Sequence, residues 1–239
     1  MALPKLDLPL YELELPSNEK TVSYRPFLVK EEKILLMAME SESEKEMVTG
    51  VRQIISNCVS GENFDVDKIP LFDIEYILLH LRGVSMGGTI TMKYKNKACT
   101  ENKCQPIAVD VDILASNIEK DPEHNAKIEL TDTVGLIMGY PDINMISQLN
   151  GSNESIEASM DVIAKCINQV YDEENVYSRT DFTFKEIKEF VDNLTAPQFE
   201  KVQTFFNTTP KICQDVEVSC DKCEFKETIK LEGLSSFFD

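Results

Sequence analysis

Histidine is scarce: of 239 residues only His80 and His124 carry an imidazole. No Gly-x-Ser-x-Gly, no phosphate-binding loop and no His-Glu-x-x-His accompanies them, so the familiar signatures of hydrolases, nucleotide enzymes and zinc peptidases are missing. Gly87-Gly88 is too short to cradle a phosphate. No stretch approaches the roughly 18–20 consecutive apolar residues of a membrane span. The start, MALPKLDLPLYELEL, lacks the basic opening and unbroken apolar run of a secretory signal, which predicts a chain that stays in the cytosol where it is made. Basic residues are few as well. Lys and Arg total 24 against 42 Asp and Glu, a formal net charge of −18. Such a surface repels nucleic-acid phosphates and anionic lipid, and favours solubility and basic protein partners.

What is present is enough to fold. Apolar residues make up 42%, with 12 Phe and 7 Tyr, which argues against disorder. The length fits one large domain or two small ones. Leu10–Leu15 and Thr21–Phe27 alternate around Pro16-Ser17-Asn18, a hairpin pattern. Helices are expected over Leu28–Glu40, Ser43–Val59 and Ile69–Ser85. The second opens on the capping spacing Ser43 to Glu46, and the third is apolar on most of its circumference, as a helix buried on several sides must be. Thr89–Tyr94 and Ile107–Leu114 alternate as strands, and Lys127–Leu130 and Val134–Met138 read as shorter ones. After the polar break Gln148–Ser155, helical spacing covers Ile156–Tyr171, Thr183–Leu194 and Pro197–Asn207. Val216–Ser219 and Glu227–Leu231 then bracket Cys220-Asp221-Lys222-Cys223. Helices and strands do not alternate as βαβ units, so the class is α+β: small antiparallel sheets and hairpins, a set of buried helices and a cysteine-bearing hairpin near the end. The break divides the chain into an α+β part, 1–147, and a helical part ending in the hairpin, 156–239, or else is a surface loop within one compact domain.

Seven cysteines are present. Single ones in a reducing compartment are mostly small core residues. Two close pairs differ. Cys220-x-x-Cys223 lies in a turn between strands, where both thiolates can reach one metal. Cys99 and Cys104, with four residues between them, lie in a similar turn, within TMKYKNKACTENKCQPIAVDVDIL. That segment and VEVSCDKCEFKETIKLEGL share the plan strand, two-cysteine turn, strand. Together the pairs supply a closed four-cysteine structural zinc site, although 115 residues separate them where a local zinc ribbon has roughly 15–20. The other reading is two unmetallated turns, or one pair alone, with Cys213 the spare ligand. A redox role fits less well, since a reactive Cys-x-x-Cys usually opens a helix. His80, inside the apolar helix, reads as a hydrogen-bonded core or interface residue. His124, after Asp121-Pro122-Glu123, is expected at the surface. Asp110 and Asp112 share a strand face and Glu40, Glu42, Glu44 and Glu46 form an acidic run; both read as solvated. Phe237-Phe238 either tuck into the protein's own core or anchor a partner.

Several segments, taken in order, resemble one family: the Pro/Leu-rich hairpin, YRPFLVKEEKILLMAMES, IPLFDIEYILLHLRGVS, the Cys99/Cys104 turn, FTFKEIKEFVDNLTAPQFEKVQTFFNTTPKI and CDKCEFKETIKLEGLSSFF. The combination is similar to the baseplate hub subunit and hub assembly proteins of T-even-type contractile-tailed bacteriophages, over essentially the whole chain. The resemblance implies a virus-encoded, non-enzymatic protein made in the host bacterial cytoplasm. It implies protein contacts with other baseplate and tail hub proteins, either within the virion or during assembly only. It brings no catalytic residue. Two alternatives stand beside it. One is a zinc-ribbon-like nucleic-acid-binding module, which would need a Lys/Arg-rich face around the cysteines. The other is an enzyme of unrecognised type, which would need a pocket joining His80 to a shifted carboxylate.

Overall fold

Strands β1 (Tyr11–Glu14) and β2 (Thr21–Tyr24) form the expected antiparallel hairpin. Leu13 faces Val22 across the pair and both are buried, while Glu12, Glu14 and Thr21 are exposed. A slip of one residue would bury the glutamates, so this alternation fixes the register. The computed structural model describes residues 7–41, 43–95, 106–145, 156–220, 225–233 and 236. Val59–Ser60 (β3) adds a third strand beside β2.

Three helices close over this sheet: α1 (Val29–Glu40), α2 (Glu44–Cys58) and α3 (Leu71–Met86). Ser43 caps α2, its hydroxyl accepting from the Glu46 amide at 3.4 Å. The all-round apolarity of α3 has a structural cause: the helix serves two cores. Ile74, Ile77 and Leu81 pack with the hairpin and α2. Leu79 packs instead with strands β4 (Thr89–Tyr94) and β5 (Ile107–Asp112) and with β11 (Lys211–Ser219) and β12 (Lys226–Glu232). Asp73, in the first turn of α3, is fully buried and accepts bonds from the amide and hydroxyl of Ser17, pinning the β1–β2 turn to the helix. Burial nevertheless pushes its carboxyl up from the ordinary range, partly offset by those bonds.

A short 3₁₀ turn, Ile113–Ala115, leads to β6 (Asn117–Glu119), β7 (Lys127–Glu129) and β8 (Gly135–Met138). Then follow α4 (Ile156–Cys166), β9 (Ile167–Tyr171), β10 (Val176–Ser178), α5 (Phe184–Asp192) and α6 (Ala196–Asn207). A four-stranded antiparallel sheet, ordered β10-β9-β8-β7, takes two strands from each side of residues 148–155. Strand β11 pairs with β12 on one edge and β6 on the other. Leu136, Ile167, Ile187, Val202 and Phe205 lie in the core where α4, α5 and α6 cover the four-stranded sheet. The chain is thus α+β, built of small antiparallel sheets and buried helices.

One expected helix is shorter than its spacing predicts. The run Ile156–Tyr171 is helical only to Cys166; Ile167–Tyr171 is a central strand, bonded to β8 and β10. Ile156, placed by that spacing on the apolar face, is 84% exposed. Ile167, Val170 and Tyr171 are β-branched or aromatic and fit a pleated surface. Pairing on both edges satisfies their backbone groups and overrides the helical period. Strands β3, β6 and β10 and the first half of β11 are further elements that the sequence pattern alone does not mark.

Candidate functional site

Helices α1, α2 and α3 leave between them an apolar cleft of about 640 Å³. Phe27, Leu35, Met47, Val51, Leu78 and Met86 line it, with Gly233 at the end of β12 on its wall. Three carboxylates belong to this lining, and their environments differ. Glu31 is fully buried. Burial pushes its pKa up, but the Leu28 amide at 2.8 Å, Arg25 at 3.1 Å and Lys30 at 3.3 Å more than offset this, and the net is below the ordinary value. Glu32 lies one residue further along α1. Glu75, on α3, has no ion pair among the described residues, and burial alone raises its pKa to about 7. Around the cleft α1 is unusually apolar on its outer side: Leu36 and Met37 are more than half exposed, as is Met86 at the end of α3. The mixture is a greasy slot whose polar wall groups are the paired Glu31, the carboxylates Glu32 and Glu75 and the guanidinium of Arg82, chemistry suited to holding an apolar segment.

The histidines do not join this slot. His80 packs edge-on against Tyr76 and Tyr24, and burial pushes its pKa down. Its Nε2 is buried with no hydrogen-bond partner, so the hydrogen bond expected of a core histidine is not formed there. Glu75, the one strongly raised carboxylate among the described residues, lines the cleft, and His80 does not. His124 corrects a clear expectation: it is buried, only 7% exposed, not at the surface. Its Nδ1 lies 2.9 Å from the Thr208 hydroxyl and its Nε2 2.9 Å from the Tyr140 hydroxyl. Thr208 Oγ1 donates to the Thr204 carbonyl at 2.8 Å. It therefore accepts from His124 Nδ1–H, and Nε2 accepts from Tyr140. Burial, then the nearby Lys120, lower the His124 pKa, keeping this bridge neutral. Tyr140 and Phe205 flank the ring.

The acidic strand pair behaves as expected. Asp110 is exposed and accepts from Thr91 Oγ1 at 2.7 Å, and exposed Asp112 caps the 3₁₀ turn through the Leu114 amide at 3.0 Å. Cys58, Cys166 and Cys213 are buried core thiols; burial pushes that of Cys166 up to about 12. Cys220 is buried at the end of β11, its amide donating to the Phe225 carbonyl at 2.9 Å across the mouth of the turn. Cys99, Cys104, Cys223, Phe237 and Phe238 lie outside the described residues. Sequence reasoning missed the cleft. Its signals were a lone acid, Glu75, inside the most apolar helix, and the unbroken ILLM run on α1.

Fold and cleft together define an α+β protein of small sheets whose most prominent described feature is an apolar slot between helices. Comparison with known families adds the particular. The chain belongs to the T4 bacteriophage base plate protein family, whose model matches residues 8–239. No curated protein and no solved structure matches it. No helix among the described residues is long and apolar enough to cross a membrane.

Proposed function

We propose that the protein is a component or assembly factor of the central hub of a phage tail baseplate. It acts through protein contacts, without catalysis, after synthesis in the host cytoplasm. The observation that carries this reading is the family match over residues 8–239, joined to the ordered segments that resemble hub proteins. The cleft supports it by supplying a docking surface. Its occupant is a basic amphipathic helix of another hub protein. Apolar side chains would fill the slot beside Leu35 and Met86, and a Lys or Arg would meet Glu75. Charge complementarity argues for that sign: the chain carries −18, and on the lining the carboxylates Glu32 and Glu75 outnumber the one cation there, Arg82. Deleting the gene from a phage that encodes the protein is expected to abolish baseplates and tails while heads still fill. Normal tails, counted by electron microscopy, would overturn the reading.

A further inference from the structure

We propose that a second cavity, between the β9–β10 hairpin and α5, receives the guanidinium of an arginine side chain presented by a partner protein. The cavity measures about 370 Å³, near the small end of ligand sites and sized for one side chain rather than a helix. It shares no lining residue with the cleft between α1, α2 and α3, and it borders the other core. Its walls are aromatic. Tyr171 and Tyr177 come from the hairpin, Phe182 from the loop before α5, and Phe190 from α5 itself. Two carboxylates complete the wall: Asp172 at the hairpin turn and Glu186 in the first turn of α5. No Lys or Arg belongs to the lining among the described residues.

Each acid has a local structural duty that occupies one oxygen and spares the other. Asp172 Oδ1 accepts from the Glu174 and Asn175 amides at 2.9 and 2.8 Å, closing the turn, while Oδ2 meets the Tyr177 hydroxyl at 3.5 Å. Glu186 Oε2 accepts from the amide and hydroxyl of Thr183 at 2.7 and 2.8 Å, and Oε1 accepts no bond among the described residues. The amide bonds hold both carboxyls below their ordinary range, so both are ionised at neutral pH. Neither joins an ion pair among the described residues, because the neighbouring cations are engaged elsewhere. Lys185 pairs with Glu189, and Lys188 with Glu157 and Asp161. Arg179 donates to the Ala164 carbonyl at 3.3 Å and lies 5.8 Å from the centre of the Phe182 ring. Lys127 pairs with Glu129 and lies 5.3 Å from the centre of the Tyr171 ring. The rings therefore already attract cations, while the charge of the two acids stays without a counter-charge. Ionised carboxylates beside ring faces select a flat, hydrogen-bonding cation. A guanidinium stacks on a ring and donates to a carboxylate at once. A quaternary ammonium has no N–H to offer, and a lysine ammonium has no flat face. Tyr177 and the adjoining Val176 are exposed, so the mouth opens toward other molecules and offers apolar contact around it, the setting in which arginine anchors protein interfaces.

The test titrates N-acetyl-arginine amide into the full-length protein and follows ring and amide signals by NMR. Saturable shifts are expected at Tyr171, Tyr177 and Phe190. The citrulline analogue, alike in shape but uncharged, should bind about fivefold more weakly or worse. N-acetyl-lysine amide and tetramethylammonium should also bind more weakly than arginine. D172N/E186Q keeps an acceptor oxygen in the turn and in the capping box while removing both charges. It should weaken binding about threefold or more and leave the thermal midpoint nearly unchanged. Y177L should weaken it about two- to fivefold. Equal binding of the arginine and citrulline probes overturns the proposal, as do shifts that saturate away from these rings or fail to saturate at all. Tighter binding of tetramethylammonium overturns it too, since the site would then suit an alkylated ammonium. If a variant fails to fold, the comparison of probes on the unaltered protein still decides. None of these readouts depends on a hub role: a protein that builds baseplates and binds no arginine sinks this inference and leaves that reading standing.

Discussion

Glu75 and His124 titrate in opposite senses, because one is held as a buried acid and the other as a buried neutral base. Burial raises Glu75 from 4.5 to about 7. Its folded form therefore binds a proton more tightly than the unfolded form between those values. Stability from this group is present in full below pH 4.5 and is lost as pH rises through 7, by at most roughly 3 kcal/mol at 1.36 kcal/mol per pKa unit. E75Q should remove that slope, so the difference in urea midpoint between variant and parent should grow from pH 5 to pH 8 in the variant's favour. For His124 the folded pKa is lowered from 6.5, so its contribution is present above 6.5 and fades as pH falls below it. Gly135 is a steric case. A Cβ there would stand 2.1 Å from the Tyr171 hydroxyl and, less avoidably, 2.6 Å from the Ile128 carbonyl oxygen. G135A should cost roughly 1–3 kcal/mol, the usual range for overpacking, read as a lowered urea midpoint.

At the scale of elements, capping and pairing decide boundaries. Helix α5 opens with a reciprocal box: Thr183 accepts from the Glu186 amide, and the Thr183 amide donates to the Glu186 carboxylate at 2.7 Å. The Thr183 and Ser178 amides bonding to Glu186 and Asp181 thus give this helix a defined start after a turn. T183A should lower stability by about 1 kcal/mol, with the thermal midpoint falling accordingly. The junction of α4 with β9 shows the opposite balance. No cap or glycine stands at Cys166–Ile167, so nothing local ends the helix there. The strand forms because β8 and β10 lie on either side to receive it.

For the molecule as a whole, the exposed apolar stripe on α1 is the feature least explained by folding. Leu36 and Met37 gain little from it, being 55% and 58% exposed. L36D/M37D should therefore change the thermal midpoint little, since surface substitutions usually stay within about 0.5 kcal/mol. In a phage lacking its own copy, the same variant should fail to restore baseplate formation, scored as plaque yield and tails per lysate. Restored tails would remove α1 from the docking surface. Much of this architecture was legible in the sequence because it rests on local signals. The alternation of β1 and β2, the cap at Ser43 and the capping box at Thr183, and the paired strands β4 and β5 depend on neighbours within a few residues and a fixed period. Only the tertiary structure turned residues 167–171 from a helical period into a central strand, buried His124 between Tyr140 and Thr208, and opened the cleft in which Glu75 stands. Those outcomes depend on which distant segments lie alongside, and free energy of pairing and burial between segments far apart in the chain leaves no period in the sequence to read.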